Sequence, residues 1–133
     1  MTLRLTREHL EEMIAHARET FPLECCGLLA GRDGQVLRVY RGHNVDQSPY
    51  TYRLDDRQLL QFLREMDREG LEIVGIYHSH TASQAAPSRT DVARAFYPEA
   101  VYVIISLQQA QRPEVRGFRI VDGRVSEEDV VVQ

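Results

Sequence analysis

The chain has 133 residues, enough for one domain, 1–133, with a real core, and its 43% hydrophobic and 27% charged residues are those of an ordinary globular protein. A net charge of −4 and a pI near 5.7 argue against the basic surface that nucleic acid requires, and no apolar run approaches the ~18 residues needed to cross a membrane. The segment from Met1 to His9 lacks the apolar core of a secretory signal, and Cys25 and Cys26 are adjacent, able to pair only as a strained vicinal disulfide; reduced cysteines in a cytoplasmic location are the expectation.

Thr6 is placed to cap a helix in which Leu10, Met13, Ile14, Ala17 and Phe21 recur at three- and four-residue spacing, with Pro22 closing it. Cys25 to Ala30 predicts a short buried strand, Gly31 to Gly34 a turn, and Val36 to Arg41 the partner strand of a hairpin. Tyr50 to Leu54 predicts another short strand. Asp55 or Asp56 then caps a second helix, with Leu59, Phe62, Leu63 and Met66 on one face and Gly70 just past its end. Leu71 to Tyr77 is apolar and β-branched, and predicts a strand. Ser88, after Pro87, opens a short helix ahead of Val92, Ala93, Ala95 and Phe96. The unbroken apolar run Ala100 to Leu107 predicts a central strand buried on both faces. After a polar bend at Gln108 to Pro113, Val115 to Val121 and Arg124 to Val132 form a hairpin about Asp122-Gly123. This order predicts an α/β fold of the α+β sandwich type: a single mixed β-sheet, two main helices and a short third one.

The chemistry concentrates in His78-Ser79-His80, at the end of the strand Leu71 to Tyr77. Strand side chains repeat every second residue, so the two imidazoles face the same way from Cα atoms roughly 6.5 Å apart, a spacing that lets both reach one ion. Such a pair also reads as two polar residues facing solvent. Asp91 adds a carboxylate within fourteen residues of His78, making a three-ligand set whose fourth tetrahedral position is left for water. Ser88-Arg-Thr-Asp91 has the form of a capping box as well, and the two roles are compatible, because a capped helix holds Asp91 rigidly. No CxxC pair is present to build a closed zinc site, and the H-x-E and P-C-x-x-C pattern of a zinc nucleotide deaminase is missing. Activated water needs a base that is not itself a ligand; Glu24, following Pro22 at the start of the strand Cys25 to Ala30, is the candidate among twenty acidic residues.

Glu24, followed by His78-x-His80-x7-Ser88-x-x-Asp91, resembles the JAMM (MPN-plus, Mov34) metallopeptidase family. The resemblance implies a cytidine-deaminase-like architecture and one Zn2+ per chain held by His78, His80 and Asp91. It also implies Glu24 as general acid/base and Ser88 as the donor that stabilises an oxyanion. Many ubiquitin-cleaving members have Pro where this chain has Thr81. The segments before His78 and after Asp91 leave no room for the insertions that larger members use to grip ubiquitin. Ser48 to Asp55, Ile76 to Thr81, Pro87 to Val92 and Phe118 to Gly123 are similar to a bacterial branch of the family. That similarity implies hydrolysis of the amide between cysteine and the C-terminal glycine of a ubiquitin-like sulfur-carrier protein ending in Gly-Gly. Arg53 and Arg89 are the candidates for binding the cysteine carboxylate, since a guanidinium grips it bidentately. Removal of a ubiquitin-like modifier from lysine, or trimming of a carrier tail, would use the same chemistry. A catalytically silent MPN scaffold is the alternative of another class, and intact Glu24, His78, His80 and Asp91 argue against it.

Overall fold

The computed structural model describes residues 2–133. Its elements run β1 (Leu3–Leu5), α1 (Arg7–Thr20), β2 (Cys26–Arg32), β3 (Gln35–Gly42), α2 (Asp56–Glu69), β4 (Glu72–His80), α3 (Arg89–Ala93), β5 (Val101–Ser106), β6 (Glu114–Val121), β7 (Arg124–Glu128) and β8 (Val130–Val132). All eight strands share one sheet in the order β7-β6-β5-β4-β2-β3-β1-β8. It is mixed: β4 and β5 run parallel, as do β1 with β3 and with β8, while the remaining neighbours are antiparallel. This is the α/β arrangement expected from the sequence.

Local chemistry sets most of these boundaries. Thr6 caps α1 through a reciprocal pair of bonds with His9, each 3.2 Å long. Of the two candidates for the α2 cap, Asp55 fills the role, its carboxylate accepting the Gln58 N–H. Asp33-Gly34 and Asp122-Gly123 both form two-residue hairpin turns with positive φ at each position, the backbone that matches the twist of the flanking strands.

Four expectations are corrected. Tyr50 to Leu54 is a loop, not a strand, touching the ladder only through an isolated bridge from Leu54 to Asn44, because side-chain and turn hydrogen bonds take up its backbone groups instead. Arg124 to Val132 is two strands, with β7 and β8 on opposite edges of the sheet and only Asp129 between them. A flat eight-stranded sheet would hold its edges roughly 34 Å apart at about 4.8 Å per strand, so this sheet must curl until they meet. The Asp129 carbonyl accepts the Leu3 N–H at 2.9 Å, tying that junction to β1, a strand too short to show a period in the sequence. Phe21 and Leu63 lie at 54% and 38% exposure instead of inside, Phe21 because α1 stops at Thr20. Finally, α3 stops at Ala93, and Phe96 stands 76% exposed beyond it.

The two faces of the sheet bury separate cores. Leu29, Tyr77, Val101, Val103 and Ile105 pack with Met13 and Ala17 of α1, while Leu28, Ile76 and Tyr102 pack with Phe62 and Met66 of α2. Alternation along β4 therefore puts His78 and His80 on the face of Ile76, and Tyr77 and Ser79 on the face of α1. All six residues of β5 are buried, as its apolar run requires.

Candidate metal and catalytic site

His78 and His80 end β4, whose strand pairing with β5 continues through Ser106. Ser88 caps α3 in the predicted capping box: its Oγ accepts the Asp91 N–H at 3.0 Å, and its own N–H donates to Asp91 Oδ2 at 2.9 Å. The cap thus fixes Asp91 with Oδ2 toward β4. His78 Nε2, His80 Nε2 and Asp91 Oδ2 form a triangle with sides of 3.2, 3.1 and 3.0 Å, and all three residues are buried.

Tautomer chemistry tests whether this triangle suits a cation. His80 Nδ1 lies 2.9 Å from the Gln84 carbonyl, which can only accept, so that nitrogen carries a proton. In the neutral ring Nε2 then presents a lone pair to the Asp91 carboxylate. Acceptor facing acceptor at 3.0 Å is repulsive until a positive charge sits between them. Ligands of a small tetrahedral cation such as zinc, each roughly 2.0–2.1 Å from the ion, stand roughly 3.3–3.4 Å from one another. The observed triangle is close to that size, and its donor set of two imidazoles and one carboxylate fits a divalent metal.

The electrostatics follow the same geometry. Burial alone would raise the Asp91 carboxyl, but His78 and His80, which favour the carboxylate when their facing nitrogens carry protons, and the Ser88 N–H hold it far below the usual carboxylate range. Burial lowers His78. For His80 burial acts in the same direction but is outweighed by Asp91 and the Gln84 carbonyl, and its proton affinity rises.

Glu24 reaches this cluster through strand register. Cys26 pairs with His78, and the pairing extends one step further through the Ser79 N–H to the Cys25 carbonyl at 3.2 Å, while the Cys25 N–H leaves the ladder to donate to Ser79 Oγ at 2.8 Å. One step further sets Glu24 across from His80. Glu24 is 2% exposed and its Oε1 has no hydrogen-bond partner. Burial pushes its carboxyl up to about 8, against a lowering influence from His80 and raising ones from Asp91 and Asp46. Cys25 and Cys26 are free, buried and pushed up to about 12 by burial, so both are inert thiols beside the site.

Sequence reasoning missed the groups that hold these residues in place. Asn44, 6% exposed, uses its whole amide: Nδ2 donates to the Glu24 and Thr51 carbonyls, and Oδ1 accepts from Asp46 and Arg53. The Glu24 N–H donates to the Ser48 carbonyl at 2.9 Å, so both backbone groups of Glu24 are anchored in the 44–54 loop. Tyr52 stacks on the His78 ring with centroids 4.3 Å apart. Reading Tyr50 to Leu54 as a strand hid that contact. Asn44-x-Asp46 is a turn signal that could have exposed it.

A groove of about 820 Å³ is lined by Leu28, Ile76, Tyr52, Leu54, Arg94 and Tyr97. None of Glu24, His78, His80, Ser88 and Asp91 lines it; it meets the triad through Tyr52, which stacks on His78, and through Cys26, which pairs with His78. Arg53 lines it and is mostly exposed, paired with Asp56 at 3.4 Å. Arg89, the first residue of α3, is exposed and does not line the groove.

A sequence profile of prokaryotic homologues of the JAB domain matches residues 6–121. The chain is 48% identical over 122 residues to the CysO-cysteine peptidase of Mycobacterium tuberculosis, covering 90% of this chain and 84% of that one. It is 38% identical over 112 residues to the desampylase of Haloferax volcanii, covering 78% and 80%. A solution structure of a protein from Desulfitobacterium hafniense superposes with a TM-score of 0.90 at 41% identity, covering 100% of this chain and 93% of that one. The chain belongs to the JAB (JAMM/MPN) domain family, as a peptidase related to these two enzymes.

Proposed function

We propose that the protein is a zinc peptidase that hydrolyses the amide between cysteine and the C-terminal glycine of a ubiquitin-like sulfur-carrier protein, releasing free cysteine. The observation that carries this reading is the buried 3.0–3.2 Å triangle of His78, His80 and Asp91 with an unpaired Glu24 carboxyl beside it, in a chain 48% identical to CysO-cysteine peptidase. A zinc ion held by those three side chains would polarise the scissile carbonyl and lower the pKa of water.

The chain's own residues do the rest. Glu24, buried near the triad but outside its ligand set and with Oε1 unpartnered, is placed to take a proton from the attacking water and deliver it to the leaving amine of cysteine. Ser88 Oγ spends its acceptor side on the Asp91 N–H, and its own O–H remains available to donate to the oxyanion of the tetrahedral intermediate. The Gly-Gly tail is thin enough for the groove beside Tyr52, which leaves side-chain recognition to the body of the carrier. Arg53, next to Tyr52 on the loop that stacks against His78, and Arg89, two residues before Asp91, are the two arginines nearest in the chain to the site and the candidates to meet the cysteine carboxylate.

Mass spectrometry of a carrier–cysteine adduct, before and after incubation with zinc-loaded protein, tests the reading directly. Loss of one cysteine residue with an intact Gly-Gly carrier is expected. The 38% identity to a desampylase favours a second reading, cleavage of a ubiquitin-like modifier from lysine. An equal or higher kcat/KM on a lysine-linked conjugate would select it and leave the zinc peptidase standing.

A further inference from the structure

The 44–54 loop stacks Tyr52 on His78 of the triad and anchors the backbone of Glu24, yet contains no helix or strand of its own. Two side chains from outside the loop hold it. Thr81, one residue past the triad strand, donates its hydroxyl to the Pro49 carbonyl at 3.0 Å. Arg94, at the end of the helix bearing Asp91, donates Nη1 to Asp46 Oδ2 at 2.7 Å and to the Tyr52 carbonyl at 2.9 Å. Asp46 Oδ2 also accepts the Thr51 hydroxyl at 2.9 Å, so this carboxylate joins the interior of the loop to α3.

We propose that Thr81 and Arg94 are positioning residues that clamp the 44–54 loop to both flanks of the triad, setting it in advance as the wall of the substrate groove. Asp46, Tyr52, Arg53 and Leu54 all line that groove from this loop, and Arg94 lines it from the other side. Ordering a free loop around an extended peptide would cost conformational entropy at each turnover; a loop already tied avoids it. The ties are specific in chemistry. A proline at position 81 has no hydroxyl to offer Pro49, so Thr81 is the residue that makes the first clamp possible. Arg94 Nη1 is bound to a carboxylate and a carbonyl at once, one through each of its hydrogens, so a single nitrogen ties the side chain of Asp46 and the backbone of Tyr52 to α3.

This inference rests on the peptidase reading for its kinetic arm alone. The test uses the zinc-loaded full chain with Thr81→Val, Thr81→Ser and Arg94→Ala, a carrier–cysteine adduct as substrate, and amide hydrogen exchange across residues 45–54 without substrate. Thr81→Val keeps the side chain's shape and removes one hydrogen bond. It is expected to raise KM about two- to tenfold with kcat and zinc content close to wild type, and to speed exchange at Thr51 and Arg53. Thr81→Ser should restore both readouts, and Arg94→Ala should repeat the effect of the valine variant more strongly. A merely structural tie would lower thermal stability without separating KM from kcat. Unchanged exchange in Thr81→Val and Arg94→Ala, or an unchanged KM, or failure of serine to rescue, would overturn the clamp. If the wild type does not cleave the adduct, the proposed substrate is lost, and exchange alone decides the clamp, faster exchange supporting it and unchanged exchange ending it.

Discussion

On one face of β4, Tyr77 and Ser79 are buried against α1 and the start of β2; on the other face of the same strand, His78 and His80 are buried against α3. The first pair is self-sufficient. Tyr77 Oη lies 2.7 Å from His16 Nδ1, so whichever group gives the proton the bond is made, and Ser79 Oγ accepts the Cys25 N–H. The second pair has no such balance. A lone pair on His80 faces the Asp91 carboxylate, while His78 Nδ1 and Glu24 Oε1 lack partners. Buried polar groups that complete one another describe a scaffold; two imidazole nitrogens and a carboxylate oxygen buried within 3.2 Å of one another, with a buried carboxyl oxygen left unpartnered, describe a binding site.

Asp91→Ala should break the second face most severely. Removing one of three ligands is expected to take metal content from about one per chain to near none, and hydrolysis with it, as measured by elemental analysis beside turnover. A variant that kept its full metal content would remove Asp91 from the ligand set. Glu24→Gln should spare the metal and the fold, since the amide is isosteric, while lowering kcat about 10²–10⁴-fold. Turnover close to wild type would shift the proton-transfer role to another group.

The same variant sharpens the comparison through pH. Burial raises the folded Glu24 carboxyl from 4.5 to about 8, so between these values the folded chain keeps a proton that the unfolded chain has released. Stability from this group is present below about pH 4.5 and is lost as pH rises through 8. In metal-free protein, chemical denaturation should show wild type losing on the order of a few kcal/mol over that window relative to Glu24→Gln. His78, His80 and Asp91 titrate in both proteins, so their contributions largely cancel in the difference. Parallel curves would mean that Glu24 is solvated in solution.

On the first face the expected effect is smaller and of another kind. Tyr77→Phe leaves His16 Nδ1 buried without a partner, costing about 1–3 kcal/mol of stability, while kcat/KM on the carrier adduct stays at the wild-type value. A large loss of kcat/KM in this variant would show that the two faces are coupled and end the distinction between scaffold and site.

The sequence by itself determined what short-range physics controls. Period-two alternation placed His78 and His80 on one face, and the Ser88–Asp91 capping box predicted how the carboxylate would be mounted. The caps at Thr6 and Asp55 and the turn at Asp122-Gly123 were likewise legible, because each depends on residues within four positions of one another. Strand pairing needed the tertiary structure. That β7 and β8 diverge to opposite edges across Asp129 follows from curling of the whole sheet, which no local window contains. So does the place of Glu24, which lies across from His80 because β2 and β4 pair in one register and not another. The 44–54 loop was the least legible part: its order comes from Asn44, Thr81 and Arg94, whose bonds span up to 48 residues of chain and leave no period behind them.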